Sequence, residues 1–322
     1  MRQKLTVAET FGLQPFRERA RQALFALRGD AFTPRSKFGL SSMRLFEPAI
    51  ALRTWSGRIR RDRRLALVNL YNHTPTPVEQ GWSVRKTQVR DFRGGTLTYD
   101  SHNGTDFAVP PGTVVTAPES GTVVRISNEF HRGGLKIVLD HGDGLITTSN
   151  HLGRTLVAEG TRVTRGDAIV LSGASGLDCV SGFPWIAPHV HFNVWLNGET
   201  IDPFGAGSEV PMWLHGNDPE APVETECEAS AKEELRETLI AQDRLAEAID
   251  ACRDAELAAS LKAIHDANAR AISLIFHRNY YPTRFAASVS PYAREYARSS
   301  RLTLPFRRED VRGIYFADEC AQ

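Results

Sequence analysis

The chain has 322 residues, of which 41% are hydrophobic and 24% charged, with a formal net charge of +1. That balance excludes the disordered and fibrous classes and fits a folded protein long enough for two domains, or for one domain with helical additions. The net charge points to no partner and does not favour nucleic acid, and no apolar run reaches the length of a membrane span.

The first stretch is distinctive in charge. Residues 1–65 carry fifteen Lys/Arg against five Asp/Glu, a local basic excess that fits either a solvated, helix-rich arm or contact with an anionic surface such as phospholipid, wall polymer or nucleic acid. Within it Phe16, Ala20, Leu24 and Leu27 recur at helical spacing between arginines, so a basic, partly helical arm is expected over 1–84. The extreme N-terminus lacks the continuous apolar core of a secretory signal. The four cysteines, Cys179, Cys227, Cys252 and Cys320, include no C-x-x-C pair, so they form no zinc knuckle, and their spacing leaves bridging open.

After Pro75 and Pro77 the texture changes. From about 85 to 210 short β-like runs alternate with glycine-bearing turns: GTVVTA, GTVVRIS, LKIVLD, GLITTS, TRV and DAIVLSG. This pattern predicts a small antiparallel β barrel or sandwich. Residues 112–124 and 160–170 echo each other as strand, turn, strand, and two such units facing one another would close the barrel. Beyond 211, and above all after 228, Ala, Leu, Glu, Lys and Arg dominate. A mainly helical C-terminal region is expected there, packed beside the β unit and ending in an irregular tail. The fold class is therefore α+β, with the β unit flanked by helical regions.

Two clusters in the β region carry chemistry. In Pro188-His189-Val190-His191-Phe192-Asn193-Val194-Trp195-Leu196 the alternation is strict. A strand would set His189, His191, Asn193 and Trp195 on one face and the apolar residues on the other. In Ser101-His102-Asn103-Gly104-Thr105-Asp106-Phe107-Ala108-Val109 the even spacing again places His102 and Asp106 on one face of an extended segment, with Phe107 and Val109 anchoring the other. Imidazole and carboxylate are good zinc ligands, and three protein ligands leave a fourth position for water. The H-x-H pair can share a metal, or one histidine can bind while the other works beside it.

The run from His102 to Pro203 resembles the lysostaphin-type (LytM-like) zinc endopeptidases, which cut peptide bonds in bacterial peptidoglycan. The resemblance rests on H-N-G-T-D-F-A-V-P-P-G-T-V-V-T-A, a second G-T-V-V, D-H-G-D-G, N-H-L, G-x-x-V-x-x-G-D and P-H-V-H-F-N-V followed by I-D-P, in that order. It implies one zinc ion per chain held by His102, Asp106 and His191, with His151 of N-H-L and His189 as catalytic partners. It also implies a peptide or peptidoglycan substrate and a place in the cell envelope or outside the cell, while the missing signal leaves the cytoplasm open. The chain departs from the family pattern at Ser149, where an aromatic residue is common, and at Asn193, where Glu is usual. Its segment between Gly173 and His189, bearing Cys179, Phe183 and Trp185, is longer than the usual turn.

Other features weigh less. His141 in D-H-G-D-G reads as turn chemistry. Ser175 does not complete G-x-S-x-G, and H-E-x-x-H is absent, so neither a hydrolase elbow nor a helix-borne zinc site is supported. Two other functions compete: an inactive β unit that binds wall peptides or activates another hydrolase, and a lipoyl-type carrier. The carrier needs a lysine where this chain has Pro118, Glu119 and Ser120.

Overall fold

In the computed structural model of the chain, which describes residues 2–321 with side chains as far as Glu319, one branched, mostly antiparallel sheet organises the molecule. Its strands are β1 (Arg64–Asn69), β2 (Thr105–Ala108), β3 (Val114–Thr116), β4 (Gly121–Glu129), β5 (Gly134–Asp140), β6 (Leu145–Thr155), β7 (Arg162–Val163), β8 (Ala168–Ser172), β9 (His189–Leu196), β10 (Glu199–Ile201) and β11 (Gly313–Phe316). The main path runs β11-β1-β2-β9-β6-β5-β4-β7, with β10 beside β9 and β8 joining β3 to β6. The sheet stays open, because β11 and β7 end the path without pairing to each other. It is a folded-over sheet and not a closed barrel.

The two echoing units do face each other. β3 pairs with β8 and β4 with β7, so each unit gives one strand to each partner strand of the other. Both regions flanking the expected β unit also contribute strands. β1 pairs antiparallel with β2, and β11 runs parallel to β1. β1 is buried at Leu65, Ala66, Leu67 and Val68, so both its faces are covered and its sequence shows no alternation.

The helices are α1 (Val7–Phe11), α2 (Phe16–Arg28), α3 (Pro48–Trp55), α4 (Leu177–Ser181), α5 (Glu224–Lys232), α6 (Gln242–Asp250), α7 (Ala255–Lys262) and α8 (Ala267–Tyr280). The side chains of Asp254 and Asp266 accept the Leu257 and Ala269 N–H groups and start α7 and α8. Buried faces of α6, α7 and α8 enclose a small core of Leu245, Ile249, Leu261 and Leu274. From the other side of α8, Ile272, Ile275 and Phe276 join the sheet's core.

The alternation expected of β9 and β2 holds. Val190, Phe192, Val194 and Phe107 are fully buried on the reverse face. There Phe107 meets Phe306 at 5.7 Å between ring centroids, and Phe192 meets Trp213 at 5.6 Å. The backing of the site strands therefore comes from beyond residue 203. The N-terminal arm behaves otherwise. α2 forms where its spacing indicated, yet Phe16, Leu24 and Leu27 are exposed. Nine of the fifteen exposed large apolar side chains among the described residues lie between Val7 and Leu52, inside the basic segment.

Candidate metal centre and active site

Strand register builds the site. Across β2 and β9, Asp106 lies opposite His191 and Ala108 opposite His189. Across β6 and β9, Asn150 lies opposite His191 and Thr148 opposite Asn193. Directly opposed residues share a face, so Asp106, His191, His189 and Asn193 stand together. His102 enters from the turn before β2, where its N–H donates to the Tyr99 carbonyl. Gly104 between His102 and Asp106 is required by crowding. A Cβ there would sit 2.6 Å from the Phe192 carbonyl oxygen and 2.8 Å from His191 Nε2.

Three donor atoms form a tight triangle. His191 Nδ1 is 2.7 Å from Asp106 Oδ1, and His102 Nε2 is 3.1 Å from both Asp106 Oδ1 and His191 Nδ1. His102 is pinned from behind, because its Nδ1–H donates to the Leu70 carbonyl at 2.6 Å. With that donor committed, Nε2 faces a carboxylate oxygen across a contact that a proton or a metal cation can bridge. Tetrahedral zinc with bonds of about 2.0–2.1 Å separates its ligand atoms by roughly 3.3 Å. To match, two edges of the triangle need to open by about 0.2 Å and the shortest by about 0.6 Å, and imidazole, imidazole and carboxylate are the donors zinc takes. The residues fit the ion.

The surroundings tune these groups. Burial alone would raise the Asp106 carboxyl, but the charges of His102 and His189, with hydrogen bonds from His102 and His191, hold it well below the usual carboxylate range. Burial lowers His191, against the hydrogen bond and charge of Asp106. The Asn69 side-chain amide donates to Asp106 Oδ2 at 2.9 Å. Behind His191, Asn193 Nδ2 lies 3.0 Å from Nε2, and Asn193 Oδ1 accepts from Thr148 Oγ1 and Asn150 Nδ2. The Tyr280 hydroxyl, at the end of α8, donates to Asn150 Oδ1 at 2.6 Å and completes this chain of contacts.

His151 reaches the site by breaking the rule that places the others. Strict alternation would turn it to the face opposite Asn150. Its φ of 60° reverses that, and its backbone is held by the N–H of Gly173 and the carbonyl of Gly133. A left-handed non-glycine residue costs of order 1 kcal/mol or more and persists only where its surroundings over-determine it. Its ring centroid lies 4.7 Å from that of His189. The Nδ1–H of His151 donates to the Ser175 carbonyl and that of His189 to the Ala187 carbonyl, both at 2.8 Å. Both Nε2 lone pairs therefore face the site. Burial, together with His189 and His191, lowers His151 well below an ordinary imidazole.

The five residues singled out from sequence thus converge, and Ser175 serves by its carbonyl. His141 lies in the turn between β5 and β6, where its N–H donates to the Leu145 carbonyl, and its side chain is buried. Its Nδ1 and Nε2 are both taken, by the Ser120 carbonyl and the Thr147 hydroxyl, and burial pushes its pKa down to about 3. Asn69, Leu70 and Tyr280 carry no local signal and could not be found by motif. The long segment before His189 folds as α4 and a turn. Its Phe183 packs edge-on against Phe11 and Trp55 of the N-terminal arm.

Two openings reach the site. A mainly apolar cavity of about 350 Å³ lies between Leu27, Phe38, Met43 and Phe46 of the arm and Ile186 of the rim, with Asp106, His151 and His189 on its floor. A narrower cleft reaches His151 and His191 past Trp82, Arg132 and Asp178. There the Arg132 guanidinium lies 5.1 Å from the Trp82 ring centroid, and its Nε is buried without a hydrogen-bond partner.

Comparison with known proteins finds likenesses over the segment that holds this site. Residues 100–203 match the profile of Peptidase family M23. The likeness to lysostaphin-type peptidases is thus carried by the segment that holds all five histidine and aspartate positions. Peptidoglycan DD-endopeptidase ShyA of Vibrio cholerae is 34% identical over 137 residues, 42% of this chain and 30% of the relative. An uncharacterized metalloprotease of Haemophilus influenzae is 35% identical over 102 residues, 32% of this chain and 20% of the relative. The chain therefore spans less than a third of the length of these relatives. Among solved structures, a zinc-containing peptidase from Vibrio cholerae is 27% identical at a TM-score of 0.32, covering 44% of this chain and 38% of that one. The catalytic domain of lysostaphin from Staphylococcus simulans is 28% identical at a TM-score of 0.30, covering 41% and 86%.

Proposed function

We propose that the chain is a zinc metalloendopeptidase that hydrolyses peptide bonds of peptidoglycan, with one catalytic zinc ion held by His102, Asp106 and His191. The observation that carries the reading is the buried triangle of two imidazole nitrogens and a carboxylate oxygen, spaced 2.7–3.1 Å apart, close to what tetrahedral zinc needs. Zinc in that position supplies Lewis acidity, lowering the pKa of water and polarising a carbonyl. His151 and His189 present Nε2 lone pairs beside it. Their backbone-bonded Nδ1–H groups fix both tautomers, so this pair is suited to take a proton from attacking water and return it to the leaving amine.

The cleft supports a peptide bearing an acidic group. Arg132, backed by the Trp82 ring, has no carboxylate within ion-pairing distance among the described residues, and a guanidinium so placed suits a substrate carboxylate. The substrate class follows the names of the relatives, several of which are peptidoglycan DD-endopeptidases. A place at the cell envelope follows the same substrate. The exposed apolar residues of the basic N-terminal arm supply a face for an anionic surface there. An inactive wall-binding unit is less well supported, since all five metal and catalytic positions are filled and converge.

The test is metal content followed by wall digestion. The purified chain should carry about one zinc and release peptide fragments from peptidoglycan, and His102→Ala should lose both. Release that survives thorough chelation, or a wild type that takes up no metal, would overturn the reading.

A further inference from the structure

The second group of converging ligands lies beside the first. One ring nitrogen each of His151 and His189 and the Cys179 Sγ all lie within 4.8 Å of one another, and all three residues are buried. Both imidazoles are committed through Nδ1 to backbone carbonyls, and neither Nε2 has a hydrogen-bond partner among the described residues. His189 Nε2 is 3.8 Å from Asp106 Oδ1, beyond hydrogen-bonding range. Cys179 stands on α4, in the segment longer than the resembled family's turn. It is unbridged.

We propose that His151, His189 and Cys179 form a second, lower-affinity zinc site whose occupation withdraws both histidines from proton transfer. Two imidazoles and a thiolate are a soft donor set that favours zinc over magnesium or calcium. Ligand atoms in tetrahedral zinc with one sulfur are separated by roughly 3.3–3.7 Å, so the trio closes by about an ångström. The balance is simple: the ion replaces the thiol proton, which leaves to solvent, and no oxidant or reductant takes part. Burial, with Asp178 and Asp106 nearby, holds the thiol well up in pKa, so it stays protonated until a cation arrives. Asp106 faces both sites and offsets part of the repulsion between two dications. The remainder makes the second ion weaker than the first.

The binding claim stands without the peptidase reading; only the inhibitory consequence rests on it. Cobalt(II) titration of the full chain separates the two. The first equivalent, on nitrogen and oxygen donors, should give no thiolate-to-metal charge-transfer band, and the second should bring that band up in the near ultraviolet. Cys179→Ser should bind one equivalent without the band, and His102→Ala should lose the first equivalent and keep the band. A chain with Cys227, Cys252 and Cys320 changed to Ser should behave as wild type, which keeps the test informative should Cys179→Ser fail to fold. In wall digestion, excess zinc should suppress the wild type at least tenfold and spare Cys179→Ser. A single equivalent in the wild type, or a band that survives Cys179→Ser or disappears with the other three cysteines, would overturn the site. A proper band from a chain that never digests wall would sink the peptidase reading and leave the site standing.

Discussion

The His102–Asp106–His191 triangle and the His151–His189 pair share one pocket, yet their side chains are committed in opposite ways. In the triangle the donor atoms point at one another at 2.7–3.1 Å, and the geometry is unfavourable until a cation sits among them. In the pair the inner nitrogens are bound to carbonyls at 2.8 Å and the outer ones make no hydrogen bond among the described residues. What an imidazole does here is decided by where its other nitrogen is tied.

The contrast can be broken most severely at the one anion of the triangle. Asp106→Asn keeps the shape but removes the charge, and zinc content and wall digestion should both fall to background. Retained stoichiometric zinc would mean that the triangle is not the metal site. His151→Ala should separate the two groups: zinc stays, while turnover falls about 10²–10⁴-fold, as for loss of a general acid–base. Undiminished turnover would remove His151 from the mechanism.

A milder change sharpens the comparison. To bind through Nδ1, His191 must carry its proton on Nε2, where Asn193 now presents its amide nitrogen. A carboxylate accepts that proton better. Asn193→Asp should therefore tighten zinc by roughly tenfold, since such partners alter metal affinity about 10–100-fold. Weaker binding, measured by chelator competition, would show that the amide already turns to accept.

The smallest effect belongs to His141, whose nitrogens are both satisfied and which serves packing alone. Its folded pKa of about 3 lies below the ordinary 6.5. The stability it contributes is complete above about pH 6.5 and is lost as pH falls toward 3. Across that window the unfolding free energy of His141→Gln should fall less steeply with acid than that of wild type, in denaturant melts. Equal slopes would mean that His141 is protonated in the native state.

Much of this was legible because β2 and β9 keep strict alternation. Parity put His102 with Asp106 on one face of their segment, His189 with His191 on one face of theirs, and Phe107, Val190 and Phe192 in the core; bringing the two pairs together rested on the resemblance. His151 was found only through a resemblance, since its left-handed backbone turns it against parity. Leu70, Asn69 and Tyr280 lie far along the chain from what they position, and no local pattern encodes such a contact. β1 was hidden because a strand covered on both faces shows no period, and this one follows an arginine cluster. In the arm, helical spacing indicated where α2 forms but carries no information on the exposure of Phe16, Leu24 and Leu27, which depends on what packs against them.

The hydrogen bond from His102 to Leu70, with that from Asn69 to Asp106, has a practical consequence for anyone wishing to transplant this site. A graft trimmed to residues 100–203 would carry every ligand but leave behind the strand that orients two of them. The preceding strand must travel with the cassette, or the transplanted ligands will arrive free to rotate.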